Sequence, residues 1–169
     1  MAQSSTFPNF CFLGCASAVL LIAAPAQAAT ASTTFAVSAT VLKACLVTAT
    51  PLAFGNYDPT SAVPLDSTAT LSVLCTVGTP FTVGLNAGTF SGATVTTRRM
   101  ANGANTLNYS LYQETGRTTN WGNTPASDVP ASTTAPISAT GFTVYGRVAA
   151  LQNVPALNYT DSITVTVNY

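Results

Sequence analysis

The sequence predicts an all-β protein folded as an antiparallel β-sandwich. Hydrophobic residues make up 47% of the 169-residue chain, which argues against disorder. They recur at every second position in many short segments, which is the period of a strand with one buried face. Gly and Pro separate these segments, and no long helical period interrupts them. Short strands spaced in this way are typical of a sandwich.

Each predicted strand combines this alternation with turn residues at its ends. In chain order, the predicted strands are 46–49, 52–54, 69–75, 81–85, 94–100, 107–112, 142–148 and 163–169. Pro51 separates the first two, because proline is tolerated in a sheet only at an edge or a bulge. The segment 114–134 is predicted to be a polar loop. No internal repeat is evident, so we expect one domain.

Charged residues are scarce and balanced. Five Lys and Arg offset five Asp and Glu, and together they form 6% of the chain, against about 25% in typical domains. The surface must therefore consist mainly of Thr, Ser, Asn and Gly. Such a surface has no electrostatic reason to attract nucleic acid or an anionic membrane, so we expect neither as a partner.

The N-terminus has the pattern of a secretory signal peptide, residues 1–28. An apolar run at 11–24 precedes Ala26-Gln27-Ala28, the small-x-small pattern of a cleavage site near Ala28 or Ala29, although the first ten residues lack Lys and Arg. The alternative is lipidation at Cys15, which we disfavour because most of the apolar run follows it. No segment approaches about 18 uninterrupted apolar residues, so we expect no membrane insertion.

Removal of the signal peptide leaves Cys45 and Cys75. An even cysteine count in an oxidising compartment predicts a disulfide. Closing this loop is expected to stabilise the fold by about 3–4 kcal/mol. The alternative is a redox or metal-binding pair. It is weak because the chain has no histidine, no Cys-x-x-Cys and no further ligands at a useful spacing.

Groups that support catalysis are few. The absence of histidine excludes Ser-His-Asp and Cys-His chemistry. The carboxylates lie in or beside predicted turns, at Asp58, Asp66, Glu114, Asp128 and Asp161. Folding could still pair two of them as in a glycosidase, but turn-capping or solvated carboxylates are favoured. We therefore expect no enzyme, metal or cofactor.

Two terminal stretches carry the most distinctive alternation. In one, the apolar positions are Phe35, Val37, Ala39 and Val41; in the other, they are Ile163, Val165 and Val167. The second stretch ends the sequence within what has the pattern of a core strand. The residues alone favour 35–41 as the first strand of its own domain, and the alternative is that it fills a vacancy in a neighbouring copy. A one-residue slip in register would instead turn Thr34, Ala36, Ser38 and Thr40 inward.

The order of several motifs resembles the spore coat protein U domain family, which includes the secreted pilins of archaic chaperone-usher systems. The segments that carry the resemblance are 45–47, 52–57, 71–76, 99–100, 107–112, 121–122, 145–147 and 159–167. The ending Tyr159-x-Asp161-x-Ile163-x-Val165-x-Val167 is the most specific of them. The resemblance spans about 35–169.

The resemblance implies an incomplete immunoglobulin-like antiparallel β-sandwich, 44–169, which lacks its last strand. The N-terminal strand of a neighbouring subunit, 29–43, would complete it, which is a form of β-strand addition. The implied donor residues are Phe35, Val37, Ala39 and Val41, with Thr33 as a further candidate. Ile163, Val165 and Val167 would line the acceptor groove. The implied partners are copies of the chain or related pilin subunits, a periplasmic chaperone and an outer-membrane usher.

The function implied is that of a structural pilus subunit, secreted through the periplasm to the cell surface for attachment and biofilm formation. One alternative is a secreted coat protein. Another is a carbohydrate-binding adhesin module in which Trp121 and tyrosines stack on sugars, although packing in the core or a loop is favoured for these rings. The pair Arg98-Arg99 is interpreted as a solvated strand end.

Overall fold

A computed structural model describes residues 27–169. Most of the predicted signal peptide, including Cys15, lies outside the described residues. The compact domain comprises Thr40–Tyr169. Residues 27–39 are exposed and form no helix or strand, and the first strand begins at Cys45.

Eight antiparallel strands among the described residues form two sheets. They are β1 (Cys45–Ala49), β2 (Leu65–Cys75), β3 (Pro80–Leu85), β4 (Arg98–Asn102), β5 (Asn105–Tyr112), β6 (Thr133–Thr134), β7 (Thr140–Val148) and β8 (Val165–Asn168). The five-stranded sheet has the order β1-β2-β7-β5-β4, and the three-stranded sheet has the order β6-β3-β8. Within residues 27–169 there is no helix, and hence none that could span a membrane.

The all-β antiparallel prediction is confirmed, with differences at strand boundaries. Residues 52–54 form no strand. The last backbone hydrogen bond between this segment and β2 runs from the Thr50 N–H to the Thr70 carbonyl. Beyond it, the Ser67 hydroxyl donates to the Ala53 carbonyl at 2.6 Å. Pro51 lacks an N–H group, which explains why the ladder stops there. β4 begins at Arg98, later than predicted, and β6 lies in the segment predicted to be a polar loop.

The inward faces of both sheets form one core. Its buried hydrophobic residues are Ala69, Leu71, Val73, Cys75, Phe81, Val83, Leu85, Leu107, Tyr109, Leu111, Trp121, Ala135, Val144 and Val148. Trp121 is 1% exposed, and its indole N–H donates to the Val83 carbonyl at 2.8 Å. This ring therefore has no free face on which a sugar could stack.

The interpretation of Arg98-Arg99 as a solvated strand end is wrong for Arg98, which is 0% exposed. Its guanidinium donates to the backbone carbonyls of Leu85, Asn86, Val95 and Trp121 at 2.7–3.0 Å. Burial lowers its pKa to about 10, so the group is charged at neutral pH. Arg98 thus ties the end of β3 to the β3–β4 loop and to the segment after β5 that carries Trp121.

The strand registers define two opposite ends of the domain. β1 begins at Cys45 opposite Cys75, the turn 76–79 follows, and β8 ends opposite the start of β3. We call this end the Cys45 pole. At the other end, β2 begins at Leu65 opposite Val148, and we call it the Leu65 pole.

The predicted disulfide is confirmed. Cys45 and Cys75 are bonded to each other and lie directly opposite in the β1–β2 register. Cys75 is buried in the core, as its place on the inward face of β2 predicts. The bridge fixes the start of β1, the edge strand of the five-stranded sheet, to its only strand neighbour among the described residues.

Candidate functional site

A groove opens between the edges of the two sheets. β1 is an edge strand of one sheet and β8 of the other, and in the described part of the chain neither has a second strand partner. β1 and β8 contact each other, and the groove continues from them along the segments 49–54 and 159–165. Unpaired backbone groups and open apolar surface make such a place a template for another strand.

The groove has a volume of about 380 Å³ and an apolar floor. Its floor consists of the core residues Ala69, Leu71, Leu85, Tyr109, Leu111 and Val144, with the partly buried Met100 beside them. The first wall carries Leu52 and Phe54, and the second wall carries Ile163 and Val165. Val167, the third residue predicted here, packs against the core opposite Val83 but does not line the groove.

A second cavity, of about 860 Å³, continues the groove at the Leu65 pole. It lies between residues 52–59 and 154–159, with Leu107 and Val148 behind them. The two spaces share Leu52, Phe54, Met100 and Tyr159 as lining residues. They therefore form one slot whose two walls, 49–59 and 154–165, run in opposite directions.

The second wall is held by a polar cluster at Asp161. One carboxylate oxygen accepts a hydrogen bond from the Tyr109 hydroxyl at 2.7 Å. The other accepts from the backbone N–H groups of Thr89 and Ser162 and from the Thr89 hydroxyl, at 2.8–2.9 Å. Burial and the bond to Asp161 raise the pKa of Tyr109, so its hydroxyl stays protonated. The polar atoms of this cluster satisfy one another, which leaves the groove apolar in character.

The first wall lies close to the five-stranded sheet at Gly146. A Cβ atom at Gly146 would approach the side chains of Leu52 and Phe54 to 2.9 Å. The absence of a side chain here lets residues 52–54 lie against β7 without a backbone ladder. Phe54 also packs edge-on against Tyr109, with ring centroids 6.0 Å apart.

The four predicted donor residues lie in the exposed segment before β1. Phe35, Val37 and Val41 are 81–85% exposed, and Ala39 is also exposed. The segment 27–44 contains no regular secondary structure. Its alternating apolar side chains are thus accessible to a partner molecule.

The carboxylates are engaged in local structure. Asp58 accepts from Thr60, Glu114 from Thr118 and Thr119, and Asp128 from Thr124. Asp66 forms a bidentate pair with Arg147, whose hydrogen bonds lower the pKa of Asp66 despite partial burial. In residues 27–169, no three His, Cys, Asp or Glu side chains cluster as metal ligands.

Sequence reasoning did not assign Leu52, Phe54 or Tyr109 to the groove. The alternation of Leu107, Tyr109 and Leu111 predicts that Tyr109 points inward, so this residue could have been identified. Leu52 and Phe54 were assigned to a strand, although their spacing does place them on the inner side. No signal in the sequence indicated that Asp161 pairs with Tyr109.

Comparisons with known proteins agree with this architecture. The family profile described as Spore Coat Protein U domain matches residues 31–166. Protein U of Myxococcus xanthus is 36% identical over 172 residues, covering 91% of this chain and 93% of that protein.

A solved structure is also similar. It is the chaperone-tip adhesion subunit pre-assembly complex CsuC-CsuE, from the archaic chaperone-usher Csu pili of Acinetobacter baumannii. The TM-score is 0.55 at 25% identity, covering 77% of this chain and 40% of the matched one. The chain thus corresponds to less than half of that Csu chain. The profile match and the identity to Protein U together show that the chain belongs to the Spore Coat Protein U domain family.

Proposed function

We propose that this protein is a structural subunit of a chaperone-usher pilus that polymerises by donor-strand complementation. The donor segment, residues 29–43 of one copy, extends into the groove of the next, with Phe35, Val37, Ala39 and Val41 as the inward residues. The observation that carries the proposal is the apolar groove between two unpaired edges, β1 and β8, in a chain that also exposes an alternating apolar segment.

The inserted segment would pair the free strand edges of the groove and cover its apolar floor. Its backbone pairs with the free edges of β1 and β8, and each hydrogen bond contributes about 1 kcal/mol net. Its large apolar side chains cover the floor, and burial of each contributes about 1.5–3 kcal/mol. Asp161 and Tyr109 are already bonded to each other, so a polar donor side chain would find no partner at that place.

The two poles determine the direction of insertion. Residues just before β1 lie at the Cys45 pole, so the donor segment leaves its own domain there. An insert parallel to β8 would leave the acceptor at that same pole, which already carries the acceptor's own donor segment. An insert antiparallel to β8 leaves at the Leu65 pole instead. Each copy then donates at one pole and receives at the other, which produces a linear fibre.

Export through the periplasm requires that the groove be covered until the subunit is assembled. Residues 1–28 direct the chain to the periplasm, where a chaperone covers the groove, because an open apolar edge aggregates. An outer-membrane usher then exchanges the chaperone for the donor segment, and the fibre reaches the cell surface for attachment and biofilm formation. The similarity to a chain from a chaperone-usher pre-assembly complex supports this route.

The test uses the mature full-length chain with Val37→Asp, which places a charge on an inward donor position. We expect this variant to form no head-to-tail polymer and, with its groove open, to have low stability, while the unchanged chain polymerises. A synthetic peptide of residues 30–43 should bind the variant in a one-to-one complex and raise its Tm, measured by size analysis and thermal unfolding. The groove is free in this variant because its own donor segment is defective.

Two peptide variants test the register. The Val37→Asp peptide should fail to bind, whereas the Ser38→Asp peptide should bind because Ser38 faces away from the groove. The reverse result would mean that Thr34, Ala36, Ser38 and Thr40 face inward. If the unchanged mature chain stays a stable monomer at high concentration, residues 35–41 serve their own domain and the polymer proposal is wrong.

A secreted coat protein is the second candidate. The family's description and the match to nearly the full length of Protein U favour it. A coat protein would use the same fold without head-to-tail polymerisation, so the size analysis above also separates these two functions.

A further inference from the structure

The end of the donor segment is held beside its own domain by hydrogen bonds to Thr76. Thr76 follows β2 in the turn 76–79, and its hydroxyl donates to the Leu42 carbonyl at 3.2 Å. The backbone N–H of Ala44 donates to the same hydroxyl at 3.1 Å, and the Thr76 N–H donates to the Ala44 carbonyl at 2.9 Å. Leu42 and Lys43, at the end of the donor segment, are therefore held beside their own domain, and the part of the segment that can enter a neighbour's groove ends at Val41.

This anchor leaves almost no linker between neighbouring subunits. Val41, the last inward donor residue, directly precedes Leu42, and consecutive Cα atoms are about 3.8 Å apart. When Val41 lies in an acceptor groove, the donor's turn 76–79 must lie within roughly 10 Å of the groove's exit. The Cys45 pole of the donor is thus forced against the Leu65 pole of the acceptor.

Both poles expose apolar side chains at this place. On the donor, Leu42 and Val77 flank the anchor and are 77% and 64% exposed. On the acceptor, the large second cavity opens at the exit, and Leu157 beside it is 47% exposed. Exposed apolar residues around a cavity are typical of a surface that binds a partner.

Charge is also complementary between the poles. Lys43 is exposed at the donor's anchor, and the exposed Asp58 lies within the acceptor wall 49–59, between the cavity-lining residues Tyr57 and Pro59. Hydrogen bonds from Thr60 lower the pKa of Asp58, so it is negatively charged at neutral pH. In a chain with five basic and five acidic residues, such a pair at opposite poles favours the head-to-tail arrangement.

We propose a second contact between neighbouring copies, separate from the inserted strand. In it, Leu42 and Val77 of one copy pack against Leu157 at the mouth of the second cavity of the next copy. The contact rests on the proposed polymerisation, and it fixes how adjacent domains are oriented and slows the release of the donor segment.

The test is a charge exchange in fibres assembled from the mature chain. Val77→Lys and Leu157→Asp each place an unpaired charge in the apolar contact, and each should speed dissociation in detergent on heating by about tenfold. The double variant pairs the two charges across the contact and should restore much of the lost resistance. Thr70→Lys, on the exposed face of β2, is the matched control and should have no effect.

The outcomes separate the two proposals. If the unchanged chain forms no fibre, the polymer function itself is wrong. If unchanged fibres form and both single variants dissociate at the unchanged rate, the pole contact alone is overturned. The same conclusion applies if the effects of the two substitutions simply add in the double variant, because two residues in contact must be coupled.

Discussion

The hydroxyl of Tyr109 donates a hydrogen bond to Oδ2 of Asp161 across 2.7 Å. The bond joins β5, in the five-stranded sheet, to the segment that leads into β8, in the other sheet. One wall of the groove is therefore held by the sheet that faces it, in addition to its own strand pairing. A Cβ atom at Gly88, where φ is +92°, would collide with the Asp161 carboxylate, so this loop needs glycine both for space and for its backbone conformation.

Tyr109→Phe should weaken this wall. The change removes one of the hydrogen-bond donors to the Asp161 carboxylate and should lower the free energy of unfolding by about 2 kcal/mol. Chemical denaturation of the mature chain measures this loss. Tyr112→Phe, in the same strand, is the control. Its hydroxyl donates no hydrogen bond within residues 27–169, so equal losses in both variants would contradict the role of the Asp161 bond.

Arg98→Met should lower the free energy of unfolding more than Tyr109→Phe does. The long apolar side chain keeps much of the packing but leaves the carbonyls of Leu85, Asn86, Val95 and Trp121 without their donor. Buried unsatisfied groups cost about 1–3 kcal/mol each, so we expect a loss of at least 3 kcal/mol in denaturant unfolding. Arg99→Met is the neighbouring control. A loss below 1 kcal/mol for Arg98→Met would show that loops or water replace the guanidinium.

Most of the sheet architecture could be predicted because apolar residues recur at every second position of a strand with one buried face. The inward residues of β2, Ala69, Leu71, Val73 and Cys75, are all buried as their spacing indicates. The early part of β2 was missed because Asp66, Ser67 and Thr68 break the apolar alternation. There the strand is fixed by pairing with β7, a long-range contact that local sequence does not encode.

The candidate groove could be predicted in part. Ile163 and Val165 were assigned from alternation and family resemblance, and they do line the groove. Arg98 was misjudged because arginine is rarely buried, and its acceptors are backbone carbonyls from separate loops. Backbone carbonyls have no sequence signature, so tertiary structure alone reveals that site.

Stability should depend on pH through Asp66. The hydrogen bonds from Arg147 lower its pKa below 3.8, and the charge of Arg117 acts in the same direction. A carboxylate with a lowered folded-state pKa contributes stability above its unfolded-state pKa, and loses that contribution as pH falls through the folded-state value. The Tm difference between the unchanged protein and Asp66→Asn should therefore be full at pH 7 and vanish in strong acid.

The comparison with Asp66→Asn removes the effect of other carboxylates whose pKa values are lowered, such as Asp58 and Glu114. The Asp66 and Arg147 side chains are about one-third exposed, so salt should reduce the difference at neutral pH. A Tm difference that stays constant from pH 7 to pH 2 would mean that the ion pair does not stabilise the fold.

Gly146→Ala should displace the side chains of the first groove wall. Its Cβ would lie 2.9 Å from side-chain carbons of Leu52 and Phe54, so these side chains must shift away from β7. Overpacking of this kind costs about 1–3 kcal/mol, and the displaced wall should also bind the 30–43 peptide more weakly in the Val37→Asp background. Gly141→Ala is the matched control, because it lies in the same strand and its Cβ would meet nothing within 4 Å. If Gly146→Ala lowers Tm but leaves peptide affinity equal to that of the control, residues 52–54 support the domain without forming a wall of the peptide's site.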